Sequence, residues 1–316
     1  MQYLLTSLLK INNVIVTFFY FLLGYKKIDN FNDVKNILFF KVGSIGDSII
    51  TLPTIASIKN SYPNIDITIL ANNGKENLVS IENLIDKSYI KDFINYTGKS
   101  KLELLKMLKN TKYDLVIDLT QPSSLLRTVR NMIIFRLSGI YKGIGWNISE
   151  LSFLRKQQDN YNMVGSELEK YLSYLKLYNI NTEIFFILGI TNKEINKIDS
   201  LLCSNNLQEK TLIAFVVGSN RSTTLWPIEY YDKVIKYVVE KTNFTPLIIG
   251  GKEDNILVDK LEQKVVNFCG KLTPLEIVKA EFCKFPAVSP KSKKEIMFLL
   301  SIVSPVLLVT QTSTFV

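Results

Sequence analysis

The sequence contains no histidine. That absence excludes a Ser-His-Asp triad, a histidine-based zinc site and any imidazole general base, so acid–base chemistry falls to carboxylates, Lys, Tyr or Cys. Cysteine is scarce: Cys203, Cys269 and Cys283 are the only three, none forms a Cys-x-x-Cys pair, and the odd number suits a reducing compartment. Also lacking are a long basic run, a nucleic-acid motif, a repeat signature and any long low-complexity stretch. The 38 basic and 29 acidic residues leave a net charge of +9, spread along the chain, which favours phosphorylated ligands and acidic lipid headgroups over DNA or RNA. With 47% hydrophobic and 21% charged residues, the balance is that of a globular protein, and 316 residues suffice for two domains.

Residues 4–24 (LLTSLLKINNVIVTFFYFLLG) are apolar enough to raise a transmembrane or signal-peptide reading. Their spacing argues for something else. Thr6, Lys10, Asn13, Thr17, Tyr20 and Gly24 recur at alternating steps of four and three, which draws one narrow polar stripe along a helix. Lys26 and Lys27 follow at once, and no small-residue cleavage site is evident. Such a helix can lie in a membrane interface, stripe to water, with Phe18, Phe19 and Phe21 among its lipid contacts. A true span and a helix packed on the protein's own core are the alternatives.

From Asn36 the pattern changes. Ile37-Leu38-Phe39-Phe40 is an apolar run of the kind expected for a buried parallel strand. Lys41-Val42-Gly43-Ser44-Ile45-Gly46-Asp47-Ser48 follows, then a helical pattern of Ile49, Ile50, Leu52, Ile55 and Ile58: strand, glycine loop, helix, as in the opening of a Rossmann-like unit. Residues 66–71 and 113–119 read as further strands, and 123–137 as a helix carrying Arg127, Arg130 and Arg136. Around 180–210 the rhythm weakens into polar text that suggests an interdomain stretch. A second cycle begins at 212–217, continues through Gly218-Ser219-Asn220-Arg221 and a helix after Trp226-Pro227, and adds strands at 245–249 and 265–268. The expected fold is α/β with two Rossmann-like domains and mostly parallel sheets, the GT-B architecture, in which ligands occupy a cleft facing the strands' carboxyl ends.

The loop at Gly43–Asp47 fits neither phosphate-loop fingerprint. It lacks the Lys-Ser/Thr of a Walker loop and the third glycine of a dinucleotide loop. An acid at its tip would repel a pyrophosphate. Asp47 has two readings of equal standing on the pattern alone: a general base that accepts a proton from an incoming hydroxyl, or an ordinary helix N-cap.

Residues 37–70 (ILFFKVGSIGDSIITLPTIASIKNSYPNIDITIL), YDLVIDL with its Arg-bearing helix, GIGW, FVVGSNRSTTLWPIEYY, IIGGKED and NFCGKLTPLEI together resemble glycosyltransferase family 9, the ADP-heptose–lipopolysaccharide heptosyltransferases. The resemblance runs in order over roughly residues 36–280. It implies an inverting, metal-independent transfer of a sugar, heptose first among the candidates, from a nucleotide-sugar such as ADP-heptose to a lipopolysaccharide core or related glycan acceptor. It implies no cofactor, and a cytoplasmic enzyme peripheral on the inner face of the inner membrane, with an anionic lipid surface among its partners. Asp47 stands where the family has its general base. Gly218, Ser219, Asn220 and Arg221 match the loop that contacts the donor diphosphate. Glu253 or Asp254 falls near the acid that holds the ribose, Thr273 near the adenine, and Gln311 and Thr312 at the block that grips the donor sugar. Gly43, Ser44, Gly46, Arg127 and Arg130 are acceptor-side candidates, although a solvated helix face accounts equally well for either arginine.

The sequence departs from the family at Thr224, where a Lys is usual two residues before Trp-Pro, and at Gln311–Val316, which lacks the block's Asp, Gly and His. The stretch around Phe285–Pro290 is unmatched, and residues 304–309 read as a closing strand. The expected organisation is an interfacial helix over 1–30, an acceptor domain over 31–190 and a donor domain over 191–316 that reads as incomplete. The alternatives are a relative that binds a nucleotide or anionic lipid without turnover, and a Rossmann-type dehydrogenase, disfavoured by its glycine pattern.

Overall fold

Short apolar runs bounded by polar turns become parallel strands buried on both faces. The computed structural model describes residues 2–42, 45–72, 81–120, 125–146, 166–219 and 225–277. The chain divides into two units, 1–187 and 188–316. The first contains β1 (Asn36–Val42), β2 (Asp66–Asn72), β3 (Asp92–Asn95), β4 (Leu115–Asp118) and β5 (Gly143–Ile144). All pairings are parallel, in the order β3-β2-β1-β4-β5. Strand order therefore reverses beside β1, and the topological switch point lies outside the carboxyl ends of β1 and β4.

Six described helices accompany this sheet: α1 (Gln2–Leu22), α2 (Ile45–Ile49), α3 (Leu52–Ser61), α4 (Lys101–Lys109), α5 (Leu125–Leu137) and α6 (Glu167–Lys176). On one face Leu38, Phe40, Leu70 and Val116 pack with Leu104 and Leu108 of α4 and Met132 and Phe135 of α5. The single helix expected after the first loop is broken into α2 and α3. Pro53 stands at the start of α3, where its missing N–H costs nothing, and Thr51 turns its hydroxyl back to the Ser48 carbonyl at 2.6 Å.

The N-terminal helix corrects two expectations. No helix among the described residues is long and apolar enough to cross a membrane. One face of α1 packs on the protein's own core through Val16, Phe19, Tyr20 and Leu23. Phe19 thus turns inward rather than toward lipid. Tyr20, expected in the water-facing stripe, stacks on Tyr25 (5.3 Å between centroids) and donates its hydroxyl to the Lys26 carbonyl.

A latch closes the β4–β5 edge. Asp118 is fully buried and accepts hydrogen bonds from the Thr120 amide and hydroxyl, Asn131 and the Trp146 indole. Burial raises its carboxyl above the usual range, and these donors oppose the rise. The Gly-Ile-Gly-Trp run has a steric reason. A Cβ on Gly143 would fall 2.0 Å from the Trp146 ring, and one on Gly145 (φ +99) 2.1 Å from the Asp118 carbonyl.

The second unit contains α7 (Asn192–Ser204), β6 (Leu212–Val216), α8 (Ile228–Lys241), β7 (Thr245–Ile249), α9 (Asn255–Val258) and β8 (Val266–Asn267), its strands parallel in the order β6-β7-β8. Leu247 and Ile249 face a cluster with Ile198 and Leu202 of α7, while Ile248 faces Tyr231 and Ile235 of α8. This alternation covers both sides of the sheet. The polar text read as an interdomain stretch holds α7, opened by a capping box in which Thr191 and Glu194 exchange hydrogen bonds.

The latch yields a graded prediction. Gly139 also has a positive φ (+88), yet a Cβ there meets nothing within 4 Å. Gly139→Ala is expected to cost about 1 kcal/mol from backbone strain, and Gly145→Ala more than about 2 kcal/mol from strain plus collision. Urea unfolding of both variants checks the order; equal costs would show that the Asp118 contact is not limiting.

Candidate functional site

β1 delivers its last residues to the switch point, and α2 begins at Ile45. Asp47 lies half-buried in the first turn of that helix. Beside it a charge is buried that the apolar run had concealed. Lys41, 3% exposed near the end of β1, donates from Nζ to the Leu119 carbonyl just past β4 at 3.1 Å. The ammonium thus bridges the two strands that flank the switch point. Burial pushes it down to about 8, opposed by the negative charges of Asp47, Glu167 and Asp118 and assisted by Lys170.

α6 covers this charge. Its Ser166–Glu169 capping box starts the helix, and Glu167 and Lys170, both buried, pair one turn apart at 3.5 Å. The Tyr171 ring lies 5.5 Å from Lys41 Nζ and 5.9 Å from Lys170 Nζ, close enough for cation–π attraction to both. Among the described residues its buried hydroxyl has no hydrogen-bond partner. Burial raises its phenol far above the ordinary value, so it stays protonated and keeps a donor to offer. Sequence reading missed Lys41, Glu167, Lys170 and Tyr171. The one available signal was a lysine inside an otherwise apolar strand, immediately before a glycine loop.

Gly46 is buried within α2, while Gly43 and Ser44 lie outside the described residues. Arg127 and Arg130 are exposed in the first turns of α5. Arg130 lowers the Tyr96 phenol just beyond β3, although burial wins and leaves that group at about 12. The start of α5 therefore runs along the same carboxyl edge of the sheet as Asp47.

In the second unit, the loops after β6, β7 and β8 converge. Asp254 accepts the Gly251 N–H at 2.7 Å, and its carboxylate is wedged against two loops: a Cβ on Gly218 would fall 1.9 Å from Oδ1 and one on Gly250 2.4 Å from Oδ2. Burial, with Glu253 adding, raises the Asp254 carboxyl against the pull of that N–H. Glu253 is exposed beside it. The Gly270 N–H donates to the Gly250 carbonyl at 2.9 Å, which ties the β8 loop to the same edge. Thr273 caps a helical turn: its N–H donates to Glu276 at 2.7 Å, and Lys197 holds the same carboxylate at 2.9 Å. Trp226-Pro227 opens α8, with Trp226 stacked on Tyr230 and edge-on to Tyr231, whose hydroxyl donates to the Val216 carbonyl. Gly218 and Ser219 stand at this edge; Asn220, Arg221, Thr224, Gln311, Thr312 and the stretches at 285–290 and 304–309 lie outside the described residues.

Two Rossmann-like units, each with its polar loops at the carboxyl edge of a parallel sheet, describe the GT-B class of fold. The sequence profile of glycosyltransferase family 9 (heptosyltransferase) matches residues 101–280, and the chain belongs to that family of glycosyltransferases. Among solved structures it is similar to a glycosyltransferase family 9 protein from Veillonella parvula, at 17% identity over 78% of this chain and 72% of that one with a TM-score of 0.56. It is also similar to E. coli ADP-heptose lipopolysaccharide heptosyltransferase II, at 14% identity over 78% and 76% with a TM-score of 0.51. These likenesses show the GT-B fold. No curated protein sequence matches.

The buried lysine gives a pH prediction. Its folded value of about 8 lies below the ordinary 10.5, so the cost of burying its charge is full below pH 8 and is relieved as pH rises toward 10.5. Relative to Lys41→Met, the native chain is expected to gain stability across that window, by at most roughly 3 kcal/mol. Denaturant melts of both proteins at stepped pH measure it; a constant difference would mean that Lys41 is not held in a desolvated site.

Proposed function

We propose that the chain is an inverting glycosyltransferase that moves a sugar, heptose first, from a nucleotide-sugar to a lipopolysaccharide-core or related surface-glycan hydroxyl. The Asp47 carboxylate takes the acceptor hydroxyl proton as that oxygen attacks the anomeric carbon. The bond from that carbon to the nucleoside diphosphate breaks on the opposite side, and the diphosphate leaves as an anion. Configuration inverts, no covalent intermediate forms, and no step is assigned to a metal ion.

One observation carries the reading: Asp47 occupies the topological switch point of the first sheet, in the first turn after β1. The family profile begins at residue 101, so Asp47 rests on its local motif and on this position. On the donor side, Gly218, Ser219, Asn220 and Arg221 are assigned to the diphosphate, whose charge the Arg221 guanidinium would meet. Glu253, exposed where Asp254 is occupied with its own turn, is the better candidate for the ribose hydroxyls. Thr273, Gln311 and Thr312 are assigned to the rest of the donor, and Gly43, Ser44, Gly46, Arg127 and Arg130 to the acceptor side. A second reading, nucleotide or anionic-lipid binding without turnover, draws on Thr224 and the altered residues 311–316.

The deciding assay measures nucleotide release and sugar transfer by the purified chain with ADP-heptose and a panel of UDP- and GDP-sugars. Asp47→Asn is expected to lower transfer by at least about a hundredfold, in line with a lost general base, with an unchanged melt. Undiminished transfer by that variant removes the base assignment. Nucleotide binding by calorimetry without release from any donor selects the second reading.

The two neighbouring acids should separate by assay. Glu253→Gln is expected to raise the donor KM with little change in stability. Asp254→Ala should instead lower stability by about 1 kcal/mol, as for a lost cap. If Glu253→Gln leaves the donor KM unmoved, the ribose assignment fails.

A further inference from the structure

α1 carries two apolar faces, and among the described residues only one has a partner. Opposite the core-facing row, Ile11, Val14, Phe18, Phe21 and Leu22 are each more than half exposed, spaced by three and four residues along the helix. The helix is firmly seated, so this exposure is built in. The Tyr25 hydroxyl donates to the Met132 carbonyl at 2.6 Å, Arg136 Nε to the Leu23 carbonyl at 2.7 Å, and the Lys26 N–H to the Tyr141 carbonyl at 2.7 Å. α5, packed beside α1, repeats the pattern: Leu126, Ile133 and Leu137 are exposed in one row, and Arg130 falls within it.

The charges carried by these two segments have one sign. Residues 1–28 and 119–149 contain no Asp or Glu. Lys26 and Lys27 are exposed at the end of α1, and Arg127 and Arg130 on α5. A second copy docked through this face would set these cations against their own counterparts with no acid on either helix to neutralise them. An anionic bilayer surface satisfies both features, since acyl chains take the apolar rows and headgroups the cations.

We propose that the exposed faces of α1 and α5 form a docking surface for an anionic phospholipid bilayer. α1 lies in the plane of the interface with its inner face still on the core. The surface does not depend on the transfer chemistry and is tested without donor or acceptor.

The test is sedimentation of the full chain with phosphatidylcholine vesicles and with equimolar phosphatidylglycerol–phosphatidylcholine vesicles, beside light scattering without vesicles. The native chain is expected as a monomer that binds the anionic vesicles and is released by salt. The double variant Phe18→Ser with Phe21→Ser should bind at least about tenfold more weakly to them, with circular dichroism unchanged because both rings are exposed. Lys26→Gln with Lys27→Gln should lower the preference for anionic vesicles by about fivefold for each lysine. The proposal is overturned by a folded chain that does not bind anionic vesicles, by vesicle binding indifferent to the two phenylalanines, or by a dimer that the phenylalanine variant dissociates.

Discussion

A buried ammonium at the end of a central parallel strand constrains everything around it. Lys41 cannot be solvated where β1 places it, so its donors must find protein acceptors. The Leu119 carbonyl supplies one, which joins the ends of β1 and β4. Aromatic and anionic groups supply the rest: the Tyr171 ring and the charges of Asp47, Glu167 and Asp118. This explains why α6 comes to the sheet's carboxyl edge carrying a buried Glu-Lys pair, an expensive arrangement for a helix whose only task is to cover apolar strands. The result is a buried polar cluster at the carboxyl edge of β1, next to the helical turn that carries the half-buried Asp47.

The rest of the first unit secures that edge from behind. Asp118 ends β4 with its side chain turned into the protein, where Trp146, Asn131 and Thr120 satisfy it. Because Trp146 also packs against Tyr25 and Tyr20, the latch joins the sheet to α1 through one aromatic cluster. The second unit uses an analogous device with a smaller part: Asp254 fills the space that two glycines leave and gathers the loops after β6 and β7. In each unit a carboxylate is committed to positioning loops.

What was legible in the sequence follows the range of the interactions involved. The strand, glycine loop and helix around Asp47 are local, so the Rossmann-like opening could be read directly, while the pattern alone left Asp47 evenly between a base and a helix N-cap. Lys41 could not be read, because its meaning depends on Leu119 and Tyr171, far away in the chain. Asp254 against Glu253 is likewise a question of which neighbour supplies an amide, and only the turn geometry answers it. In α7 the apolar positions Ile198 and Leu202 are too few to stand out in polar text, although the Thr191-x-x-Glu194 capping box was there to be read. α1 is the instructive failure. Its polar stripe was identified, but a helix with apolar residues on both sides of such a stripe has two hydrophobic faces, and periodicity alone cannot assign their destinations. Tertiary packing sends Phe19 and Tyr20 inward and leaves Phe18 and Phe21 out.

The two proposals meet on α5. That helix follows β4, so its first turns stand at the carboxyl edge of the sheet, where Arg130 already acts on Tyr96 beyond β3. Its exposed apolar row begins in those same turns, at Leu126, and runs on through Ile133 to Leu137 beside α1. A bilayer resting on this row would bring its headgroup layer to the margin of the switch point. An acceptor anchored there by its own acyl chains could then present a hydroxyl toward Asp47 without leaving the membrane. Arg127 and Arg130, ambiguous in the sequence between acceptor contacts and a solvated helix face, would serve both ends, since the anionic groups of a glycolipid acceptor and of the surrounding lipid arrive from the same side. In that arrangement the bilayer confines the acceptor to a plane and raises its effective concentration at the site, a gain obtained without further protein contacts to the lipid.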